Sequence, residues 1–289
     1  MKRLPIATGL ALACAGAGCS HSSTSPTALQ PTIQSVPVTP AAATLRTLHG
    51  YVGDTAFRPM GGVRVEVLNG PEAGKEFSSD AKGFFSYVGM FSGATSMRAT
   101  SEGYLPLTIP VVVGNSVDQA WASFSLSPVT PPVEAAGDYT LTISVDSACS
   151  GFPDAARVRS YPAHLTKRSI TTKPANTQYD GVVSGGTFAP YLGIFWVGVA
   201  GDYLAVTTEG EGPSIVEQIA PKTYISYLGE AGASIPAGSP TMISATFNGT
   251  IEYCELKLGI GQYYECSDSL AVARAQCTSA NNRLTLTPR

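Results

Sequence analysis

Charge is what this chain of 289 residues has least of: charged side chains make up 13% of it, and its 18 Lys and Arg are dispersed. Binding to nucleic acid needs clustered cations that displace counterions from phosphates, so no nucleic-acid partner is expected. Histidine is scarcer still. His21, His49 and His164 are the three present, and no two have metal-ligand spacing or accompany a zinc-protease helix motif. Gly-x-Ser-x-Gly is missing too, and both Ser214 and Ser234 lack the glycines of a nucleophile elbow. No Asp-rich loop suits calcium, and no Gly-rich loop leads into a helix that would hold phosphate. Paired carboxylates for glycoside cleavage converge from distant positions and leave no local signature. Glu209 and Glu211, in a Gly-rich acidic stretch, read as a solvated loop. The expectation is a protein that is not an enzyme and carries no cofactor or metal.

Long apolar runs are absent except at the start. "MKRLPIATGLALACAGAGC" places two basic residues before an apolar run from Leu4 to Ala17, then small residues, then Cys19. This is a secretory signal, too short to span a bilayer as a stable helix. The small residues before Cys19 resemble the cleavage box of bacterial lipoproteins, although Gly16 stands where that family usually has Leu. Cys14 offers a poorer competing site. The resemblance implies a signal peptide over residues 1–18 and a lipid on Cys19 as the mature N-terminus, with the membrane as partner. Losing Lys2 and Arg3 takes the formal charge from −3 to 16 − 21 = −5. Residues 19–46, rich in Ser, Thr, Pro and Ala, cannot bury enough apolar surface to offset their ordering entropy and read as a flexible tether. The expected location is exported and membrane-anchored, periplasmic or at the cell surface.

What the chain does have is Gly, Pro and short alternating runs, which define an all-β class. In "GVRVEV" Val63, Val65 and Val67 face a core while Arg64 and Glu66 face water. Asp80 opens a turn whose fourth position is Gly83, the pattern of a type I turn followed by a left-handed residue. Phe84 and Tyr87 continue the next strand, Gly103-Tyr104 marks another turn, and "ASFSL" closes the unit. Together "GYVGDTAFRPMGGVRVEVLNG", "SSDAKGFFSYVGMFSG" and "MRATSEGYLPLTIPVVV" resemble the carboxypeptidase regulatory-like domain. The likeness covers residues 47–128, with Ser79 where the family usually has Thr before the turn Asp. It implies a transthyretin-like β-sandwich with a structural or interaction role and no catalytic residues.

"VTPPVEAAG", residues 129–137, reads as a Pro-containing linker. Residues 138–289 then offer a series of short strands, beginning with "YTLTISV", whose Leu141, Ile143 and Val145 share one face. An antiparallel β-barrel or β-sandwich follows. Its opening Gly-x-Tyr strand, meander and late helix resemble lipocalin-like barrels. That helix is expected over 269–276, "SLAVARAQ", with Asp268 near its start. Cys149, Cys254, Cys266 and Cys277 are an even number in an exported chain, which permits three pairings. "CELKLGIGQYYEC" reads as a hairpin turning on Gly259-Ile260-Gly261 that opposes Cys254 to Cys266 and leaves Cys149 for Cys277.

Aromatics supply the functional lead. Trp196, Phe195, Tyr191 and Tyr203, with Trp121, Tyr263 and Tyr264, either line a pocket or stacking face or simply fill sheet cores. "IFWVGV" is apolar on both alternating faces, which fits a cavity lining and a buried central strand equally. The function expected is a cell-envelope lipoprotein that binds an extracellular glycan, protein or small apolar ligand. The alternative is a structural or envelope-assembly spacer, and a hydrolase is the remaining reading. A deep apolar cavity would mark a carrier, and a flat exposed aromatic patch would mark glycan or protein binding.

Overall fold

The computed structural model describes residues 43–113, 119–168, 177–188, 192–208, 215–236, 241–256 and 271–289. The expected signal and tether, Cys19, Tyr191, Cys266 and the 259–261 turn lie outside them. The described part is all-β, and its strands gather into three sheets.

The first seven strands are β1 (Thr44–Asp54), β2 (Arg64–Val67), β3 (Glu76–Ser78), β4 (Phe84–Phe91), β5 (Gly93–Thr100), β6 (Leu107–Val113) and β7 (Gln119–Leu126). They form a three-stranded sheet in the order β4-β1-β7 and a four-stranded sheet in the order β3-β2-β5-β6. β1 pairs antiparallel with β4 and parallel with β7. The alternation dictates which faces meet. Val63, Val65 and Val67 are fully buried and pack with Leu48, Val52, Phe85 and Phe124 in one core between the two sheets. The Asp80 turn forms as its residues require: the Asp80 carboxylate accepts the Lys82 and Phe84 N–H groups at 2.8 and 2.9 Å. Gly83 takes φ +82°, a conformation that a side chain would strain.

The remaining elements are β8 (Gly137–Ser144), the one-turn α1 (Asp154–Arg157), β9 (Val158–Lys167), β10 (Gln178–Val183), β11 (Ile194–Ala200) and β12 (Tyr203–Thr207). β13 (Ile215–Ala220), β14 (Thr223–Ser234), β15 (Ile243–Thr246), β16 (Asn248–Leu256), β17 (Ala271–Cys277) and β18 (Arg283–Pro288) follow. They make one antiparallel sheet, β15-β18-β8-β9-β10-β11-β12-β14-β16-β17, with β13 beside β14. The sheet curls, so that β14 and β15 approach although they are far apart in the strand order. Its concave side is filled by a single apolar cluster to which Leu141, Ile143 and Val145 belong, as their alternation requires.

Two expectations are corrected here. Residues 271–276 are not helical: they belong to β17, which pairs with β16 from Ile251↔Cys277 to Leu256↔Ala271. The Ala-rich composition favours a helix, but burial of Ala275 and Cys277 on one face of a sheet overrides that weak preference. The expected opposition of Cys254 to Cys266 in a two-stranded ladder is not the register that the described strands show. Cys254 faces Arg274 on one side and Tyr224 on the other, so both edges of its strand are taken. Cys149 and Cys277 are disulfide-bonded, with α-carbons 5.7 Å apart. This bond ties the end strand β17 to the turn after β8, and Asn282 reinforces it by accepting the Asp146 N–H at 2.9 Å. Cys254 is also disulfide-bonded.

Residues 129–137 are held rather than loose. Val133 N–H donates to the Gly201 carbonyl at 3.0 Å, and the Glu134 carboxylate accepts the Tyr179 hydroxyl at 2.9 Å. A second tie is the turn after β1. Asp54 accepts the N–H groups of Ala56 and Arg58, folding the turn, and Thr55 and Ala56 then lie against β11 and β12. A Cβ on Gly198 would sit 2.5 Å from the Thr55 carbonyl oxygen, so only glycine admits this approach. Here is the reason why "IFWVGV" is apolar on both faces. One face enters the concave core and the far half of the other is covered by this turn.

Candidate functional site

The strand alternation that buries one face of β4-β1-β7 must expose the other. β1 turns Leu45, Thr47, His49 and Tyr51 outward, β4 turns Phe84, Ser86, Val88 and Met90, and β7 turns Trp121, Ser123 and Ser125. Register sets them in rows: Leu45 opposite Met90, Thr47 opposite Val88, Ser86-His49-Trp121, and Phe84-Tyr51-Ser123. Five large apolar side chains of this face stand open to solvent, from Met90 at 39% exposed to Leu45 at 67%. Trp121 is 58% exposed. The outward face of the neighbouring sheet carries ion pairs on β2, β3 and β5, with Val112 exposed at its β6 edge. There Arg64 pairs with Glu76, and Arg98 with Glu66 at 2.6 Å. One sandwich therefore presents a charged face and an apolar, aromatic one.

The aromatic end of the face is ordered. Trp121 Nε1–H donates to Ser123 Oγ at 2.8 Å, which satisfies the indole N–H and leaves the ring surface open. Tyr51 and Phe84 meet edge to face with ring centroids 5.3 Å apart. A groove of about 440 Å³ runs here, lined by His49, Ser78, Asp80, Phe84, Ser86 and Trp121. A second groove of about 290 Å³ continues along the same strands, lined by Tyr51, Phe57, Ser123, Ser125 and, from β10, Gln178. Burial pushes the Tyr51 hydroxyl above its ordinary pKa, with the Glu230 and Asp54 carboxylates adding to it, so it stays a neutral hydrogen-bonding group. Both grooves are shallow, with several lining residues half-buried or exposed, and suit a ligand laid on the surface.

The aromatics singled out in the curled sheet do not assemble into one site. Phe195 is a core residue with no exposure, its ring lying over Gly181 on the neighbouring strand. Trp196 points to the opposite face, half-buried beneath the Arg168 guanidinium at 4.7 Å, which in turn pairs with Asp180 at 3.1 Å. Tyr203 lies under Arg58 at 4.2 Å, at the junction with the first sandwich. Tyr191 lies outside the described residues.

One buried polar cluster was not foreseen. Glu217, on β13, is 2% exposed and accepts Arg159 Nε–H and the Tyr161 hydroxyl, each at 2.9 Å. Tyr161 also meets the Tyr227 hydroxyl at 3.2 Å. The Glu217 hydrogen bonds hold the Arg159 guanidinium above its ordinary pKa, and burial raises Tyr161 and Tyr227 well above theirs. Arg159 and Tyr161 engage both carboxylate oxygens, so the cluster ties β13 to β9. Nothing in "SIVEQI" distinguishes this glutamate from a solvent-facing one. Among the described residues, no three His, Cys, Asp or Glu side chains converge as a metal site. None of the described helices is long and apolar enough to cross a membrane.

No protein-family model matches the chain, and no curated protein matches it. Among solved structures it is similar to a mutant of the shaft pilin spaA from Lactobacillus rhamnosus GG. Identity is 11% over 71% of this chain and 91% of that one, with a TM-score of 0.20, a likeness too slight to bear on fold or role.

Proposed function

We propose that the chain is a cell-envelope lipoprotein with a non-catalytic binding role, and that the outward face of β4-β1-β7 is its recognition surface. The lipid on Cys19 and the tether after it hold the protein at the membrane. The carboxypeptidase regulatory-like sandwich presents the face, and the curled sheet supports it. The contrast between the two outward faces of the sandwich carries this reading. A soluble sheet normally alternates apolar in and polar out, and large apolar and aromatic side chains left exposed together on one sheet face mark an interaction site. Pinning of the end of β1 by the Asp54 turn and its Thr55 contact supports it further, because a fixed surface loses less free energy to ordering on binding.

Two measurements test the reading. Cys19→Ala is expected to move the protein from the membrane fraction to the soluble one, and unchanged fractionation would reject the anchor. The exported chain carrying Cys19→Ala, purified and added to envelope preparations, is expected to be retained. Replacing Trp121 and Phe84 by Ser should abolish retention. Retention indifferent to both residues would reject the face and favour the spacer reading.

A further inference from the structure

We infer that the face accepts a neutral, linear oligosaccharide laid along β1 and β7, from Phe84 and Trp121 at one end to Gln178 at the other. This rests on the reading of the face as the binding surface and adds the class of its ligand. No Lys or Arg lines either groove, and the two carboxylates that do are engaged. Asp80 caps Lys82 and Phe84 N–H, and Asp54 holds Ala56 N–H and the Arg58 guanidinium. A phosphate, a carboxylate or an acidic lipid finds no counter-charge among the lining residues, and the exposed Asp80 carboxylate, which caps only backbone N–H groups, disfavours an anion further.

Trp121 has already given its N–H to Ser123, so what it presents is an aromatic plane. A pyranose ring carries apolar C–H groups on its faces and hydroxyls around its edge. The faces stack on aromatic planes while the edge hydroxyls need hydrogen-bond donors and acceptors. Those are interleaved with the aromatics: Ser86 and His49 beside Trp121 in one row, Ser123 beside Tyr51 and Phe84 in the next. A protein partner would be better served by an unbroken apolar centre with a polar rim. The aliphatic part of the face, Leu45, Val88 and Met90, lies beyond both grooves.

Trp121 and Phe84 are two strands and one outward step apart, about 12 Å from sheet spacing, so they flank the start of the path at a separation wider than one sugar ring. The second groove begins where the first ends, since Tyr51 follows His49 and Ser123 follows Trp121 on the same face. It ends at Gln178, whose amide offers two donors and an acceptor to a terminal ring. A polymer that crosses from the sandwich to the curled sheet would explain why the two are clamped together at Thr55.

The test uses the purified exported chain carrying Cys19→Ala. It is run by affinity electrophoresis and fluorescence titration against a neutral β-glucan, a neutral α-glucan and a galactomannan, with polygalacturonate as the charged control. Binding to at least one neutral polymer is expected, insensitive to salt because no ion pair is involved. Trp121→Ala should weaken it about tenfold, the loss of one stacked ring. Gln178→Ala should shorten the oligosaccharide length that gives full affinity, and Trp196→Phe should leave binding intact while isolating the Trp121 signal. Circular dichroism melts confirm that each variant is folded. Binding of none of the neutral polymers, or of polygalacturonate alone, overturns the assignment. So does dimerisation lost in Trp121→Ala, which would make a second copy the occupant. Envelope retention that persists and depends on Trp121 while every polysaccharide fails would leave the face standing and remove only the glycan.

Discussion

The Thr55 hydroxyl donates to the Val199 carbonyl at 2.5 Å, joining the turn after β1 to the middle of the curled sheet across 144 positions of sequence. Both groups are buried, so removing the donor leaves an acceptor without a partner. Thr55→Val keeps the shape and is expected to cost about 1–2 kcal/mol. Gly198→Val should do more, because its side chain would enter the space of the Thr55 carbonyl oxygen and force the turn away. Urea unfolding is expected to show one transition in the parent and two in Gly198→Val, with new protease cleavage within residues 129–137. A single, unshifted transition in Gly198→Val would contradict the clamp.

The disulfide between Cys149 and Cys277 closes a loop of 128 positions. In the chain-entropy estimate such a bond contributes about 5 kcal/mol by restricting the unfolded chain. Replacing both cysteines by Ser is expected to lower stability by several kcal/mol and to free β17 first, read as faster hydrogen exchange in residues 271–277. Non-reducing peptide mapping should also join Cys254 to Cys266. Recovery of Cys254 joined to Cys149 would refute both pairings.

Glu217 makes a third prediction. Glu217→Gln removes the charge that compensates a partly buried Arg159 and should destabilise by about 3 kcal/mol. Arg159→Met with Glu217→Leu, which removes both charges, should recover most of that loss. An equal loss in single and double variants would mean that the pair is not the source.

Acid and alkali should each lower the stability of the protein for a separate reason. Hydrogen bonds from Tyr87 and Ser279 hold Glu72 and Asp146 below their ordinary pKa, and Arg64 does the same for Glu76. A carboxyl depressed in the folded state binds protons more readily when unfolded. Its contribution is complete above the ordinary pKa of 4.5 or 3.8 and is lost as pH falls through the lower folded value. Tyrosine runs the other way. The Glu72 hydrogen bond raises Tyr87 to about 12, and burial raises Tyr179 to about 12. Their contribution is complete below pH 10, where the unfolded tyrosines stay protonated, and declines between 10 and about 12. Thermal melts against pH are expected to plateau between about 5 and 10 and fall on both sides. Tyrosinate absorbance appearing well before unfolding would contradict the alkaline limb.

Local chemistry was the legible part of the fold. Val63, Val65 and Val67 follow from alternation, and the Asp80 turn follows from its Asp and Gly. β10 was not legible, because "QYDGVV" carries a Gly and an Asp that mask its pairing with β9 and β11. β17 was misread because its residues suit a helix, and only the neighbouring β16 makes them a strand. The binding face was hidden for a related reason. Trp121 was visible as an aromatic, yet its place beside His49 depends on parallel pairing between strands about seventy residues apart, which neither segment encodes alone. "FFSYVGMF" did carry a signal, since apolar residues on both of its alternating faces leave one set without an evident core.

Oxidative footprinting tests the recognition surface most directly. The exported chain carrying Cys19→Ala is exposed to hydroxyl radicals with and without envelope material, and side-chain modification is read by mass spectrometry. Trp121 and Phe84 are expected to be shielded by the envelope material while Trp196, on the curled sheet, reacts equally in both conditions. Shielding of Trp196 with Trp121 left reactive would contradict the account.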